Sequence, residues 1–224
     1  MNVVIFGASG MVGQGVLLEC LRDTGVERVL VVGRSSAGRQ HVKLREVLVK
    51  DVFDVASYAG QLTGIDACFF CLGVSSAGVS EAEYRRLTYD LTLAIAQELA
   101  VRNSSLCFFY VSGAGTDSTE RSRTMWARVK GATENALLRM PFRCAYMFRP
   151  GLIQPLDGIR SKTRVYRILL ALGAPVLPLL RRAFPNSVLT TREIGQAMLA
   201  VARSGWPRPV LEPKDIHAAA TRTT

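Results

Sequence analysis

The sequence predicts an α/β protein built on a doubly wound, mostly parallel β-sheet with helices on both faces. Three observations favour this class. Short apolar runs alternate with longer helical patterns, most of these runs are almost continuously apolar, and the 224 residues are 49% hydrophobic and 21% charged. Continuous apolar runs are typical of parallel strands covered on both faces. Alternating strands and helices imply right-handed crossovers, and the length and composition suit one domain with a sizeable core.

Each predicted element follows from one of these runs or patterns. Strands are predicted at residues 3–6, 29–32, 43–49, 67–72, 106–112, 144–149 and 210–212. Helices are predicted at residues 11–22, 80–102, 122–139 and 191–203. In residues 80–102 an apolar stripe at four-residue spacing indicates a face that packs on the core; it consists of Leu87, Leu91, Ile95 and Leu99.

The domain prediction is a single dinucleotide-binding domain over residues 1–212. Within it, residues 151–190 replace the regular alternation with loops and a Leu-rich stretch. This segment is predicted to form a small lid over the substrate or an interface, including that of a homodimer, and a peripheral membrane contact stays open as a weaker alternative. Residues 213–224 are short and polar and are expected to form a loosely ordered tail.

The formal net charge of +10 suits anionic partners, such as a phosphorylated cofactor, an acidic substrate, nucleic acid or a membrane surface. The arginine clusters are dispersed and lack interleaved aromatic residues, so we interpret them as solvated faces and expect no specific nucleic-acid partner. Electrostatic binding to a membrane or nucleic acid stays open as a weaker alternative. The apolar stretch 168–180 is too short and too interrupted for a transmembrane segment.

The cysteines and the amino terminus predict a location. Met1 and Asn2 lead directly into an apolar run, without the basic region of a secretory signal. Five cysteines without a secretory context are expected to be free thiols in a reducing compartment, which favours the cytoplasm. Cys68 and Cys71 lie three apart on a predicted strand and would point to opposite faces, so no metal site is predicted.

A glycine-rich turn is the strongest local signal. The run Gly7-Ala8-Ser9-Gly10-Met11-Val12-Gly13 directly follows the first predicted strand and opens the first predicted helix. Glycines permit a tight turn and a close approach of the backbone to a pyrophosphate, and the helix N-terminus offers N–H groups and a positive dipole end to the anion. The position between strand and helix predicts dinucleotide binding.

The end of the second predicted strand indicates which dinucleotide. NAD-binding proteins commonly carry a carboxylate there to accept a hydrogen bond from the ribose 2′-hydroxyl, whereas this chain has Arg34 followed by two serines. A guanidinium can pair bidentately with a 2′-phosphate, and serines can donate to it. We therefore predict a preference for NADP(H) over NAD(H), although Arg34 could also be an ordinary surface charge.

From about Asn2 to Leu152, and more weakly through Arg203, the sequence resembles the short-chain dehydrogenase/reductase superfamily. It is most similar to the atypical, epimerase-like branch that includes the Tat-interacting-protein-like oxidoreductases. The resemblance implies a Rossmann fold. It rests on motifs in order at predicted strand ends: Gly7 to Gly13, Gly33-Arg34, Asp51, Cys71-Leu72-Gly73, Val111-Ser112, Lys130 and Arg149-Pro150-Gly151.

The resemblance also implies roles for these positions. Asp51 and Val52 would contact the adenine. Leu72 and Gly73, which follow Cys71 of the same cofactor-binding motif, would line the adenosine or nicotinamide ribose side. Val111 and Ser112 would end the strand beside the nicotinamide, Lys130 would hold the ribose hydroxyls of the nicotinamide, and Pro150, Gly151 and Leu152 would flank its ring. Two simpler interpretations stay open: Asp51 could cap a turn, and Pro150-Gly151 could simply form one.

One departure from the family pattern matters for activity. Active members carry Tyr-x-x-x-Lys, in which the lysine charge lowers the pKa of the proton-donating tyrosine. Here the segment runs from Trp126 to Lys130, so tryptophan occupies the tyrosine position. An indole N–H can donate a hydrogen bond but cannot exchange a proton near neutral pH. Glu134, on the same predicted helix, is interpreted as an ordinary solvated residue.

Two functions of different classes follow. The first is an NADP(H)-dependent oxidoreductase or epimerase-like enzyme acting on a small carbonyl or hydroxyl compound. In it Ser112 would hydrogen-bond the substrate carbonyl, Lys130 would orient the ribose, Trp126 would shape the pocket, and water or substrate would supply the proton. The second is a catalytically impaired NADP(H)-binding regulatory or scaffold protein, favoured by Trp126.

Overall fold

The computed structural model describes residues 1–159 and 188–222. Its strands are β1 (Asn2–Phe6), β2 (Arg28–Gly33), β3 (Leu44–Leu48), β4 (Ala67–Phe70), β5 (Cys107–Val111), β6 (Cys144–Phe148), β7 (Leu152–Gln154), β8 (Val188–Thr190) and β9 (Val210–Leu211). Its helices are α1 (Met11–Arg22), α2 (Glu81–Arg85), α3 (Leu91–Arg102), α4 (Met125–Leu138), α5 (Thr191–Ser204) and α6 (Pro213–Ala220).

Seven of these strands form one parallel sheet in the order β3-β2-β1-β4-β5-β6-β9. β1 lies between β2 and β4, with Val3 opposite Val29 on one side and Ala67 on the other. The chain first moves outward to β3 and then returns to build the other half from β4. The strand order therefore reverses between β1 and β4, where open α/β sheets form a ligand-binding crevice at the carboxyl ends of their strands.

The sheet is covered on both faces, which explains why its strands are almost wholly apolar. Alternate residues of β1 enter different cores, with Val3 and Ile5 in one and Val4 and Phe6 in the other. The first core also contains buried side chains of α1, α5 and α6, and the second contains those of α3 and α4. The doubly wound parallel architecture predicted from the sequence is confirmed.

The predicted helix over residues 80–102 is divided into three parts. Ser80 caps α2 by accepting a hydrogen bond from the Glu83 N–H (3.2 Å), and a π-helical segment, Arg86–Asp90, joins α2 to α3. A π segment inserts one extra residue into a helix, so the side chains after it are rotated about the helix axis relative to those before it. For this reason Leu91, Ile95 and Leu99 are buried in one stripe, whereas Leu87 is only half-buried.

The end of the chain differs from the loosely ordered tail that we expected. Residues 213–220 form α6, which begins with Pro213 at its first turn and carries a capping box between Glu212 and Asp215. Ile216 and Ala219 are fully buried in the first core. Of the predicted lid, residues 160–187 lie outside the described residues; at its two ends β7 pairs in parallel with β8.

Helices α1 and α5 cross at close range. A Cβ on Gly15 would lie 2.5 Å from the Thr191 carbonyl oxygen, and a Cβ on Gly195 would lie 2.8 Å from Cγ of Glu19. α5 starts with a capping box in which Thr190 Oγ1 accepts from the Glu193 N–H (3.1 Å) and Glu193 Oε2 accepts from the Thr190 N–H (2.7 Å). The crossing holds α1, which follows the glycine-rich turn, against the carboxyl-terminal part of the chain.

The cysteines only partly follow the prediction. Cys68 packs in the second core and Cys71 against the first, so their side chains lie on opposite faces as predicted. Cys107 and Cys144, however, face each other on β5 and β6 and form a disulfide, which corrects the expectation of five free thiols. Within residues 1–159 and 188–222, no cluster of His, Cys, Asp or Glu is arranged to hold a metal, and no helix has the length and apolarity needed to cross a bilayer.

Candidate functional site

The candidate site lies at the carboxyl ends of the parallel strands, centred on the β1–β4 crevice. Gly7 follows β1 with a φ of +81°, a conformation that favours glycine. A Cβ at this position would lie 2.6 Å from the Leu72 nitrogen and 2.7 Å from the Cys71 carbonyl, so the β1 and β4 ends are in direct contact. The structure thus brings together the first and fourth strand-end motifs.

The start of α1 has the geometry expected of an anion site. A Cβ on Gly13 would overlap the Gly7 carbonyl, so the turn can be this tight only with glycine there. Gly10 is the N-cap residue, and the first turn of α1 contains no acidic side chain. The N–H groups of a helical first turn have no partner within the helix and lie at the positive end of its dipole. Ser9, Met11 and Val12 complete this turn and are half-buried.

The adjoining β2 and β3 ends carry the residues predicted to select the dinucleotide. Arg34 is exposed immediately after β2. Ser36 is already engaged, because its hydroxyl donates to Glu46 Oε2 on β3 (2.8 Å), while Glu46 Oε1 accepts from the Ala37 N–H (2.7 Å). Arg34 and the two serines that follow it are the residues proposed to receive a 2′-phosphate. One of them, Ser36, already donates its hydroxyl proton to a carboxylate.

Asp51 and Val52 form a turn near the end of β3. Asp51 Oδ1 accepts from the Phe53 N–H (2.9 Å), which is the turn-capping role left open above. The buried hydroxyl of Tyr58 donates to the Val52 carbonyl (2.6 Å) and holds this turn against the second core. At the β4 end, burial raises the pKa of the Cys71 thiol to about 12, so the thiol stays neutral; Gly73 is exposed.

Ser112 occupies the end of β5 but directs its hydroxyl inward. Ser112 Oγ lies 2.5 Å from Glu134 Oε1 and 3.2 Å from the Phe148 carbonyl oxygen. Both partners are hydrogen-bond acceptors, so the hydroxyl must be the donor. The expected donation from Ser112 to a substrate carbonyl therefore competes with a hydrogen bond to a buried carboxylate.

Glu134 is a residue of the candidate site that the sequence interpretation missed. Its side chain is 1% exposed, so describing it as a solvated helix position was wrong. Arg149 Nε donates to Glu134 Oε1 (3.0 Å), and Arg149 Nη2 donates to Glu134 Oε2. The available signal was its position one turn after Lys130 on the helix that follows Ser112, since residues four apart share a helix face.

Arg149 joins this pair to the surrounding loops. It follows β6 and is 8% exposed. Nη1 donates to Glu212 Oε1 after β9 (3.1 Å), and Nη2 donates to Ser118 Oγ in the β5–α4 loop (2.5 Å). Ser112, Glu134 and Arg149 thus form a continuous polar network behind the ends of β5 and β6.

Lys130 also lies at this end of the sheet. Its Nζ donates to the Ser112 carbonyl oxygen from the face of α4 that carries Glu134. Burial lowers the pKa of Lys130 to about 8, and the nearby Glu134 charge offsets part of this effect. A half-buried ammonium of this kind can hold the hydroxyls of a sugar and can lose its proton close to neutral pH.

The β5–α4 loop holds Trp126 in place. A Cβ on Gly115 would meet the Trp126 ring at 3.4 Å, and a Cβ on Gly131 would overlap the Asp117 carbonyl oxygen. The Thr119 hydroxyl donates to Asp117 Oδ1 (2.7 Å), and the N–H groups of Thr119, Arg121 and Ser122 also donate to this carboxylate. These hydrogen bonds lower the pKa of Asp117 to about 2. The loop is therefore tightly ordered against α4.

Pro150, Gly151 and Leu152 continue from β6 toward β7. The Pro150 carbonyl accepts from the Ala114 N–H (2.9 Å), which joins this segment to the loop after Val111 and Ser112. The candidate site thus has two ends, one at β2 and β3 and one at β5 and β6, with the glycine-rich turn between them. The family resemblance predicts adenosine at the first end and the nicotinamide at the second, which we call the reactive end.

Comparison with known proteins identifies relatives of the chain. No family model matches it. It is 29% identical over 171 residues to the protein fmp52, mitochondrial, of Emericella nidulans, covering 73% of this chain and 70% of the relative. The Eremothecium gossypii FMP52 protein is 26% identical over 207 residues, covering 91% and 89%. The protein HTATIP2 of Rattus norvegicus is 29% identical over 154 residues, covering 68% and 62%.

Solved structures share the fold. A UDP-glucose 4-epimerase superposes with a TM-score of 0.71 and 17% identity, covering 97% of this chain and 80% of the epimerase. The Bordetella bronchiseptica enzyme WbmF, solved with NAD+, superposes with a TM-score of 0.69 and 15% identity, covering 97% of this chain and 76% of WbmF. A short chain dehydrogenase from Burkholderia cenocepacia J2315, solved with NADP, superposes with a TM-score of 0.66 and 16% identity, covering 94% of this chain and 86% of the dehydrogenase.

These comparisons confirm one expectation and correct another. The predicted similarity to atypical short-chain dehydrogenases/reductases is confirmed by the HTATIP2 relative together with the epimerase-like fold. The expected cytoplasmic location is wrong, because the Fmp52 relatives are named as mitochondrial proteins.

Proposed function

We propose that this relative of the HTATIP2 and Fmp52 proteins is an NADP(H)-dependent oxidoreductase or epimerase-like enzyme acting on a small carbonyl or hydroxyl compound. The observation that carries the proposal is the contact of Gly7 with the β4 end, directly before an α1 first turn that lacks acidic side chains. A dinucleotide diphosphate there would receive main-chain N–H groups and the positive end of the helix dipole. Structural neighbours solved with NAD+ or with NADP support a nicotinamide dinucleotide as the ligand.

The other proposed contacts follow the order of the strand ends. Arg34 would pair with the 2′-phosphate, Asp51 and Val52 would contact the adenine, and Lys130 would hold the ribose beside the nicotinamide. Leu72, Gly73 and the segment from Pro150 to Leu152 would line the remainder. The reduced nicotinamide supplies a hydride when it is bound, and this chain's residues orient the substrate carbon toward it.

Gly10 offers a direct test of diphosphate binding. Aspartate and asparagine are both favoured N-cap residues, and a Cβ at Gly10 would lie 3.2 Å from the Gly7 carbonyl, a small adjustment. Gly10→Asp should therefore fold, yet lose at least about tenfold in NADPH affinity through charge repulsion, whereas Gly10→Asn should lose much less. Calorimetric titration measures both affinities. Equal affinities for the two variants would refute a diphosphate at this turn.

The NADP(H) preference rests on Arg34. A charged hydrogen bond contributes about 1.5–3 kcal/mol, so Arg34→Asp should weaken NADPH binding by roughly tenfold to a hundredfold and leave NADH binding nearly unchanged. Arg39→Asp, an equal charge change at another exposed position of the same loop, is the control. If both variants lose NADPH affinity equally, the preference is not set by Arg34.

A second candidate function, an NADP(H)-binding regulatory or scaffold protein, is favoured by Trp126. NADPH consumption over a panel of aldehydes, ketones and quinones separates the two functions. Trp126→Tyr restores the residue that active family members carry. Activity gained only in that variant would favour the regulatory protein, and activity lost from an active natural protein would place Trp126 in a working pocket.

A further inference from the structure

Among the residues that the structure describes, few groups at the reactive end of the site can exchange a proton. Trp126 stands where related enzymes carry tyrosine, and an indole N–H does not exchange near neutral pH. Ser112 donates its one hydroxyl proton to Glu134 or Phe148. Protonating a reduced carbonyl therefore needs another group at the ends of β5 and β6.

Lys130 has the required position and protons. It follows Trp126 by one helical turn, and residues at this spacing share a helix face. Its Nζ donates one hydrogen bond, to the Ser112 carbonyl oxygen. An ammonium has three protons, so two are left for a ligand at the strand ends.

The groups around Lys130 leave its proton available. On the same helix, the negative charge of Glu134 raises the pKa of Lys130. Arg149, at the end of β6, also donates a hydrogen bond to the Glu134 carboxylate. Tyr110 on β5 interacts with Glu134 and with Tyr84 on α2; burial raises the pKa values of both tyrosines, so both stay neutral. Desolvation then dominates and moves the pKa of Lys130 to about 8.

We propose that Lys130 is the catalytic acid–base residue of this site and takes the place of the missing tyrosine. In the reducing direction, a reduced nicotinamide dinucleotide supplies the hydride to the carbonyl carbon. The carbonyl π bond breaks toward oxygen, one N–H bond of Lys130 breaks, and an O–H bond forms. Lys130 is left as a neutral amine and regains its proton from water. This inference rests on the proposed function.

The first test measures Lys130 without turnover. The chain has five lysines, so protein labelled with ¹³C at lysine Cε gives a simple spectrum, in which Lys130→Arg identifies the Lys130 signal by its loss. That signal should titrate near pH 8 and should shift when the protein is saturated with NADPH. A midpoint above pH 10, or no response to NADPH, would overturn the proposal.

The second test measures proton transfer. Turnover of carbonyl substrates should decline as pH rises through about 8, because neutral Lys130 cannot donate. Lys130→Arg keeps a cation for the ribose but does not release its proton. It should bind NADPH within about threefold of the natural protein and lose at least about a hundredfold in kcat at every pH, since acid–base catalysis contributes about 10²–10⁴-fold. Lys214→Arg, at an exposed position of α6, is the control.

The outcomes separate the two proposals. If the natural protein does not bind NADPH, the proposed function fails, and this inference fails with it. If the natural protein reduces carbonyls and Lys130→Arg does so equally well, the function stands and the role of Lys130 is refuted. A protein that binds NADPH but reduces no carbonyl would also refute an acid–base role for Lys130.

Discussion

At the scale of single residues, the main feature is a buried ion pair that supports the end of β5. Glu134 and Arg149 are held by two hydrogen bonds, and Ser112 is fixed on the same carboxylate. The sequence predicts Ser112 and Lys130 because a family motif contains them. The position of Glu134 one turn after Lys130 indicates that the two share a helix face, but the helical pattern does not show that this carboxylate is buried against the end of β6. Only tertiary packing brings Arg149 to it.

A double-mutant cycle tests the pair. Glu134→Leu should destabilise the protein by about 3–5 kcal/mol, because it removes the buried carboxylate that accepts from Nε and Nη2 of the buried Arg149 guanidinium. Arg149→Leu should have a similar cost, and the double variant should lose less than the sum of the two single losses. Urea denaturation measures the three free energies of unfolding. Strictly additive losses would show that the two side chains do not stabilise each other.

Gly131 gives a second prediction at this scale. Alanine normally stabilises a helix relative to glycine by about 1 kcal/mol. Gly131→Ala should instead destabilise the protein by about 2 kcal/mol or more, because its Cβ would overlap the Asp117 carbonyl and force the β5–α4 loop away. Gly60→Ala is the control, since a Cβ there has no atom within 4 Å. A stabilised Gly131→Ala variant would contradict the close approach of loop and helix.

At the scale of elements, the structure differs from the sequence prediction where local signals are weak or hidden. Residues 80–102 have a continuous helical pattern, and the sequence does not show where a one-residue π insertion interrupts it. The prediction therefore places Leu87 on the buried face, whereas the structure has it half-buried. Pro213 at the first turn and the acidic capping residues around it indicate a helix over residues 213–220. The prediction of a loosely ordered tail relied on the polar composition instead of these local signals. By contrast, α1 begins and ends where predicted, because glycines mark its start.

The capping box of α5 yields a prediction for that helix. Thr190→Ala removes the acceptor for the Glu193 N–H and should cost about 0.5–2 kcal/mol. Thr190→Ser keeps the hydroxyl and should cost less. Thermal unfolding monitored by circular dichroism compares the two variants. If Ser and Ala cost the same, the loss comes from packing of the threonine methyl group and not from the cap.

At the scale of the whole molecule, the parallel sheet and its strand ends could be predicted because apolar runs and glycines are local in sequence. The orientation of Ser112 and the engagement of Ser36 by Glu46 could not, since each depends on strands that are adjacent only in the folded sheet. The disulfide between Cys107 and Cys144 has the same origin, because the register of β5 against β6 sets these residues opposite each other.

The net charge of +10 gives a prediction at this largest scale. A basic protein attracts anions over a distance set by the Debye length, which falls from about 10 Å at 0.1 M salt to about 3 Å at 1 M. The Kd for NADPH should therefore rise with salt more steeply than the Kd for NADH, which carries one phosphate fewer. Titrations at both salt concentrations measure the slopes. Equal slopes would show that the additional phosphate does not sense the charge of this protein.

The crossing of α1 and α5 has a practical consequence for shortening the chain. A fragment that ends near residue 150 would retain every strand-end motif from Gly7 to Pro150. It would lack α5, however, and would expose to water the side of α1 on which Gly15 normally meets Thr191. Such a fragment should bind nucleotides poorly even though it contains these motifs. Because β9 completes the sheet and α6 also packs on the first core, a minimal domain needs to extend through Ala220.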